Sequence, residues 1–331
     1  MLMQMDWLRA SCIVLGLAIA AIGQSAAQCL SAPDIEEVRA QGGAAAAGAT
    51  SNDRIGRVVA PVWVNGQGPY RCIVDTGANR SVVSQRLAER LGLEQVGEGL
   101  VHSVHGATLA PLVAVDGLAY GDFPMPADAV TMLQGSMLAG EHGLLGVDGM
   151  QGRRLRLDFD DNCIEILPAR SAPALRRGWT RLRGELRFGN LVVVRGRIDH
   201  LRVNVLVDTG SNISLANRAL HEALAERSRY SRDAEGVARA YTAGDPVVLD
   251  SAIVLPELDI GALNDMLLYV GDFHVFSLWG LDEEPTVLVG MDVLSKARAL
   301  AIDYERAIVY FRLSNRNRVG ARLDDANFTS R

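Results

Sequence analysis

Apolar residues in this chain gather in short runs rich in Val, Ile and Leu, broken at close intervals by Gly, Pro, Asn and Asp. That rhythm predicts strands joined by tight turns, with few helices. Val58–Val64 and Tyr70–Val74 read as two strands flanking Asn65-Gly-Gln-Gly-Pro69, a hairpin signal. Ser84–Leu93 carries Leu87, Ala88 and Leu91 on one helical face and reaches Gly92, so it predicts a short helix. Further along, Leu191–Val194 and Leu201–Val207 read as strands, followed by a helix over Asn217–Arg227. Late in each half stands a strand pair: Leu155–Phe159 with Cys163–Ile166, and Ala299–Tyr304 with Ala307–Phe311. Ser31–Ala40 is polar with helical character, and the Gly- and Ala-rich stretch Gln41–Thr50 reads as a flexible tether. Pro168–Trp179, with two prolines and several charges, reads as a linker, and the residues from 315 onward as a polar tail.

The two halves repeat one another in chemistry as well as in pattern. Cys72-Ile-Val-Asp75-Thr76-Gly77-Ala78-Asn79-Arg80-Ser81 is matched by Val205-Leu-Val-Asp208-Thr209-Gly210-Ser211-Asn212-Ile213-Ser214. A given tripeptide is expected about once in several thousand positions. Two copies with matching flanks therefore mark a duplicated unit, whereas one copy alone would read as a turn. Gly143-Leu-Leu-Gly146-Val147-Asp148 follows the first copy and Val287-Leu-Val-Gly290-Met291-Asp292 the second. Asp75 and Asp208 are 133 positions apart, Gly146 and Gly290 144, so the second unit holds about 11 extra residues between its two motifs.

This pairing of Asp-Thr-Gly with a later apolar-apolar-Gly resembles the retropepsin-like and pepsin-like aspartic proteases. The resemblance covers roughly residues 54–314. It implies an all-β protein, mainly strands with a few short helices, built from two homologous β-barrel lobes at 54–167 and 180–314, with the active site between them. It also implies an aspartic endopeptidase acting on polypeptide substrates with no metal and no other cofactor. Asp75 and Asp208 become the catalytic candidates, because two carboxylates about 3 Å apart share one proton and can act as an acid/base pair. Gly77 and Gly210 would allow a sharp loop with backbone N–H groups near the carboxylates. Thr76 and Thr209 would hydrogen-bond across the two loops and lock the lobes, and Gly146 and Gly290 would lie beneath them. A substrate-covering hairpin is expected near His105 and Gly106 in the first lobe and near Tyr241 in the second.

One difference between the copies bears on acidity. Ser211 follows Gly210, whereas Ala78 follows Gly77. A hydroxyl there can donate to the carboxylate and lower its pKa, and alanine cannot. The expectation is a dyad less acid-shifted than one with a hydroxyl in both copies, active from mildly acidic to neutral pH. A pH–rate optimum below about pH 3 would contradict it, given an ordinary Asp near 3.9.

Composition narrows the partners. The formal net charge is −6 and the basic residues are dispersed, which argues against nucleic acid. Residues 1–27 read as a signal peptide, with Arg9 before an apolar stretch and Ser25-Ala26-Ala27 as a cleavage site. Asp6 weakens the positive end, which leaves an uncleaved N-terminal anchor as the alternative. No later segment is apolar and long enough to span a bilayer. Export to a periplasmic or extracellular space allows disulfides. Cys29, Cys72 and Cys163 remain after cleavage, an odd number. Cys72 and Cys163 either pair with each other or stay as two buried thiols. His102 and His105 are close in sequence, but nothing else in the chain completes a metal site with them. Three arrangements stay open: lobes paired within one chain as a monomeric pseudo-dimer, lobes paired between chains, and a protease-like binding module without activity.

Overall fold

A computed structural model describes residues 29–30, 32–40, 44–125, 127–134, 136–175, 178–198, 200–225, 232–234, 237–240, 247–258 and 263–313. The signal-peptide reading and the polar tail fall outside them. The described chain is mostly strand, with five short α-helices and one 3-10 turn. The all-β expectation therefore holds. The strands lie in sheets of thirteen, ten and two, whose orders run as open paths and include no closed barrel.

The same pairing unit occurs in both halves. In the first, Gln67–Val74 lies parallel to Gly143–Leu145, which also pairs antiparallel with Val82–Ser84. In the second, Leu201–Val207 lies parallel to Thr286–Val289, which pairs antiparallel with Leu215–Asn217. The parts of these strands that run into the Asp-Thr-Gly motifs, Cys72–Val74 and Val205–Val207, are apolar and fully buried because both of their faces are covered. The halves meet where Arg153–Asp158 pairs antiparallel with Ala297–Asp303, from Arg154 opposite Asp303 to Asp158 opposite Ala299. Six strands form this junction: Ala46–Ala49, Cys163–Pro168 and Arg153–Asp158 on one side, then Ala297–Asp303, Ile308–Leu313 and Trp179–Arg187 on the other. Leu157 and Leu300 face each other across its centre, each 1% exposed.

Local chemistry accounts for the turns and caps. Asn65 (φ 51°) and Gly66 (φ 71°) make the two-residue turn between Val58–Val64 and Gln67–Val74. Positive φ at both central positions suits the right-handed twist of a hairpin, so the second strand begins three residues earlier than expected. Ser84 caps the helix Gln85–Leu91 by accepting from the Leu87 N–H at 3.1 Å, and Gly92 ends it in the left-handed region. Asn217 does the same for Arg218–Ala225, with its Oδ1 accepting from the Leu220 N–H at 3.0 Å.

Two expectations are corrected in the N-terminal segment. The stretch expected to be a flexible tether contains the strand Ala46–Ala49, in register with Cys163–Ile166, preceded by the helix Ala32–Ala40. Ile35 and Val38 on that helix pack with Ala45 and Leu167. The Ala and Gly residues that look like low complexity are small enough to lie flat at the sheet edge. The disulfide joins Cys29 to Cys163, and Cys72 is a buried free thiol. Cys72 and Cys163 do not pair because they belong to different sheets: Cys72 sits on Gln67–Val74 in the ten-stranded sheet and Cys163 opens a strand of the thirteen-stranded junction sheet. Burial pushes the Cys72 thiol up to about 12, so it is inert.

Candidate active site

Each Asp-Thr-Gly stands at the end of a central strand, and the strand beside it fixes where it ends. The Asp75 N–H donates to Leu145 O at 2.9 Å, and the Asp208 N–H donates to Val289 O at the same distance. Both strands then break into a loop, and the two loops face one another. Gly77 and Gly210 are required by this approach. A Cβ on Gly77 would lie 2.6 Å from Asp208 Cγ, and one on Gly210 would lie 2.1 Å from Asp75 Cγ. Each glycine thus makes room for the carboxyl of the opposite copy.

Thr76 and Thr209 join the loops through four hydrogen bonds. Thr76 Oγ1 donates to Val207 O at 2.6 Å and accepts from the Thr209 N–H at 3.1 Å. Thr209 Oγ1 donates to Val74 O at 2.6 Å and accepts from the Thr76 N–H at 3.2 Å. Both threonines are buried. Every hydroxyl is used once as donor and once as acceptor, so no polar group in the joint is left orphaned.

Gly146 and Gly290 let their strands cross close under these loops. A Cβ on Gly146 would fall 2.6 Å from the Arg80 carbonyl carbon, and one on Gly290 would fall 2.3 Å from Ile213 O. Four further residues brace the crossing, and the sequence reading gave them no role. Ser81 Oγ accepts from the Gly146 N–H at 3.0 Å and donates to Asp148 Oδ1 at 2.6 Å. Ser214 Oγ accepts from the Gly290 N–H at 2.9 Å and donates to Asp292 Oδ1 at 2.7 Å. Their repetition at matching places in both motifs was the available signal.

The two carboxyls differ in their surroundings. Asp75 Oδ1 accepts from the Gly77 N–H at 2.8 Å. Asp208 Oδ1 accepts from the Gly210 N–H at 2.8 Å and also from the Ser211 N–H at 3.2 Å. Burial and the neighbouring Asp208 charge hold the Asp75 carboxyl well above the ordinary aspartate range, against the Gly77 N–H and the Arg57 cation. Burial also raises Asp208, opposed by the Gly210 N–H, a hydrogen bond with Asp75, the Ser211 N–H and Arg57. The role expected of the Ser211 hydroxyl is corrected. Its Oγ donates to Ile213 O at 2.7 Å and turns away from the carboxylate, so the support Ser211 gives Asp208 is its backbone N–H. A hydroxyl two residues before a carbonyl in a tight loop finds that acceptor at short range, which the sequence comparison with Ala78 does not reveal.

A hairpin of Gln95–Ser103 and Gly106–Ala114 stands where the covering element is expected. Its end reaches the other half of the chain. The His274 N–H donates to Val104 O at 2.8 Å, and His102 Nδ1 lies 2.9 Å from His274 Nε2 with the two rings stacked. His102 is thus paired with His274 rather than with His105, which is exposed at the turn. Gly106 closes the turn opposite Ser103. Tyr241 lies outside the described residues. Among the described residues no group of three or more His, Cys, Asp or Glu side chains is placed to hold a metal ion.

Comparison with known proteins agrees with this geometry over part of the chain. Residues 60–148 match a family described as aspartyl protease. That stretch spans the strand before Asp75, the first Asp-Thr-Gly, the hairpin, and Gly146. No curated protein matches the chain.

Proposed function

We propose that this protein is an aspartic endopeptidase whose two lobes pair within one chain, with Asp75 and Asp208 as the catalytic dyad. The observation that carries the reading is the facing pair of carboxyls, each set against the other copy's glycine and both raised above the ordinary range by burial. Two such groups hold one proton between them at mildly acidic to neutral pH. The ionised member takes a proton from a water held between them, and the protonated member donates to the carbonyl oxygen of the scissile peptide. The hairpin Gln95–Ser103/Gly106–Ala114 would cover a polypeptide lying along the dyad and exclude bulk water. The chain reads as exported, and the Cys29–Cys163 disulfide suits an oxidising compartment; a mature N-terminus at Gln28 would verify the cleavage.

The test is cleavage of a mixed peptide library from pH 3 to 8 by the parent, Asp75→Asn and Asp208→Asn proteins. Each substitution is expected to lower turnover by at least about 10²–10⁴-fold, the range assigned to a positioned acid or base. Activity that survives either single substitution would rule out one shared dyad and favour lobes paired between chains. A parent that binds peptides and never cleaves them would leave a protease-like binding module instead.

A further inference from the structure

We propose that Arg57 is a positioning residue of the dyad: it holds the negative charge on Asp208 and leaves the shared proton on Asp75. The inference rests on the protease reading for its activity readout, though not for its geometry. Arg57 is 1% exposed and lies just before the strand Val58–Val64. Asp53, also buried, fixes its guanidinium: Asp53 Oδ2 accepts from Nε at 2.8 Å, and Oδ1 accepts from the Ile55 and Arg57 N–H groups. The far end of the guanidinium crosses to the other half of the chain, where Nη1 donates to Gly210 O at 3.3 Å. Nη2 is buried with no hydrogen-bond partner.

The choice of carbonyl gives this contact its consequence. Gly210 C=O and Ser211 N–H belong to one peptide group, and that N–H donates to Asp208 Oδ1 at 3.2 Å. A cation on the oxygen polarises the peptide and strengthens the N–H that faces the carboxylate. Arg57 therefore reaches Asp208 through one intervening peptide, in a buried setting where charge is weakly screened. The other copy lacks the device. Val59 pairs with Ile73, two residues before Asp75, and Val193 pairs with Leu206, two residues before Asp208, so the position matching Arg57 in the second half is Leu191. Leu191 is apolar and buried, so no cation stands there. Asp75 accepts from Gly77 alone among the described backbone donors. The charged and titratable groups facing this cluster are Asp53 at the Nε end of Arg57, Asp75 and Asp208 at the inner end, and the buried Tyr304 phenol within reach of the Asp75 charge. Asp53 sits at the opposite end of the guanidinium from the dyad, so it offsets the cation incompletely there.

The experiment follows aspartate carboxyls by ¹³C NMR as pH is varied, beside the pH dependence of kcat/KM. The single carboxyl left in Asp75→Asn should titrate below the one left in Asp208→Asn. Equal or reversed order overturns the proposal. The paired neutral variant Asp53→Asn/Arg57→Met removes the cation without stranding a buried carboxylate. It should move the lower dyad midpoint and the acid limb of kcat/KM up by about one pH unit or more, the usual effect of an adjacent arginine. Arg57→Lys, which keeps the charge, should restore most of the shift. A folded neutral variant with unmoved midpoints would reduce Arg57 to a structural ion pair, and the order of the single carboxyls decides the matter if that variant does not fold. Absence of peptidase activity in the parent would sink the protease reading while the carboxyl titrations still decide the role of Arg57.

Discussion

Burial that raises the Asp75 carboxyl makes folding stability depend on pH in a direction opposite to that of a salt-bridged aspartate. Between the unfolded value near 3.9 and the raised folded value, the native protein binds more protons than the unfolded chain. Stability is therefore fully present below about pH 3.9 and is lost as pH rises through the folded value. Asp75→Asn abolishes the ionisation and should flatten this fall. The variant is expected to exceed the parent in Tm at neutral pH and to converge with it in acid. Thermal melts across pH 3 to 8 decide it, and an undiminished slope in the variant would show that the destabilising charge lies elsewhere. At this scale the sequence was legible wherever a residue was repeated. Asp75/Asp208, Thr76/Thr209 and Gly146/Gly290 all stand out by duplication, and Ser81/Ser214 with Asp148/Asp292 carried the same signal. Arg57 was invisible because its counterpart in the second half is Leu191, so no repeat marks it. Ser211 was misread because its nearest acceptor, Ile213 O, is set by loop geometry that composition does not encode.

Elements were readable where turn and cap chemistry is local. Asn65-Gly66 and the caps Ser84 and Asn217 each fix a boundary within a few residues of themselves. The strand Ala46–Ala49 was hidden because its partner, Cys163–Ile166, is more than a hundred residues away and alanine carries no strand signature. The Cys29–Cys163 bridge reinforces that long-range pairing. It closes a loop spanning 134 positions, and in the chain-entropy account a loop of that size constrains the unfolded state strongly. Cys29→Ser should cost about 2–5 kcal/mol in urea denaturation. A reducing agent should lower the parent to the same level and leave the variant unchanged, since Cys72 is buried and unpaired. A variant as stable as the parent would mean that the helix Ala32–Ala40 and the strand Ala46–Ala49 hold the segment by packing alone. A hairpin near His105 and Gly106 was expected only from the family resemblance, and the contact of the observed hairpin Gln95–Ser103/Gly106–Ala114 with His274 joins residues 172 positions apart.

For the whole molecule, the two halves are held together by the antiparallel pairing of Arg153–Asp158 with Ala297–Asp303 and by the crossed threonines at the Asp-Thr-Gly loops. The first is a broad contact whose strength lies in many backbone bonds and in buried leucines. The second is small and fully buried, so its value depends on every polar group being satisfied. Thr76→Val keeps the volume and removes the hydroxyl. It leaves Val207 O and the Thr209 N–H without their partner, at about 1–3 kcal/mol for a stranded buried group. Thr209→Val does the same to Val74 O and the Thr76 N–H. The two networks touch the same loops, so the double variant should cost less or more than the sum of the singles by about 0.5–3 kcal/mol, the coupling seen for residues in one hydrogen-bond network. Peptidase activity should fall further than stability does, because a displacement of about 1 Å between the loops misplaces the two carboxyls relative to each other. A double-mutant cycle in denaturant, with kcat/KM read on the same four proteins, tests both expectations. Strict additivity together with unchanged kcat/KM would mean that the junction sheet alone sets the distance between the lobes, and that the threonines contribute packing without positioning the dyad.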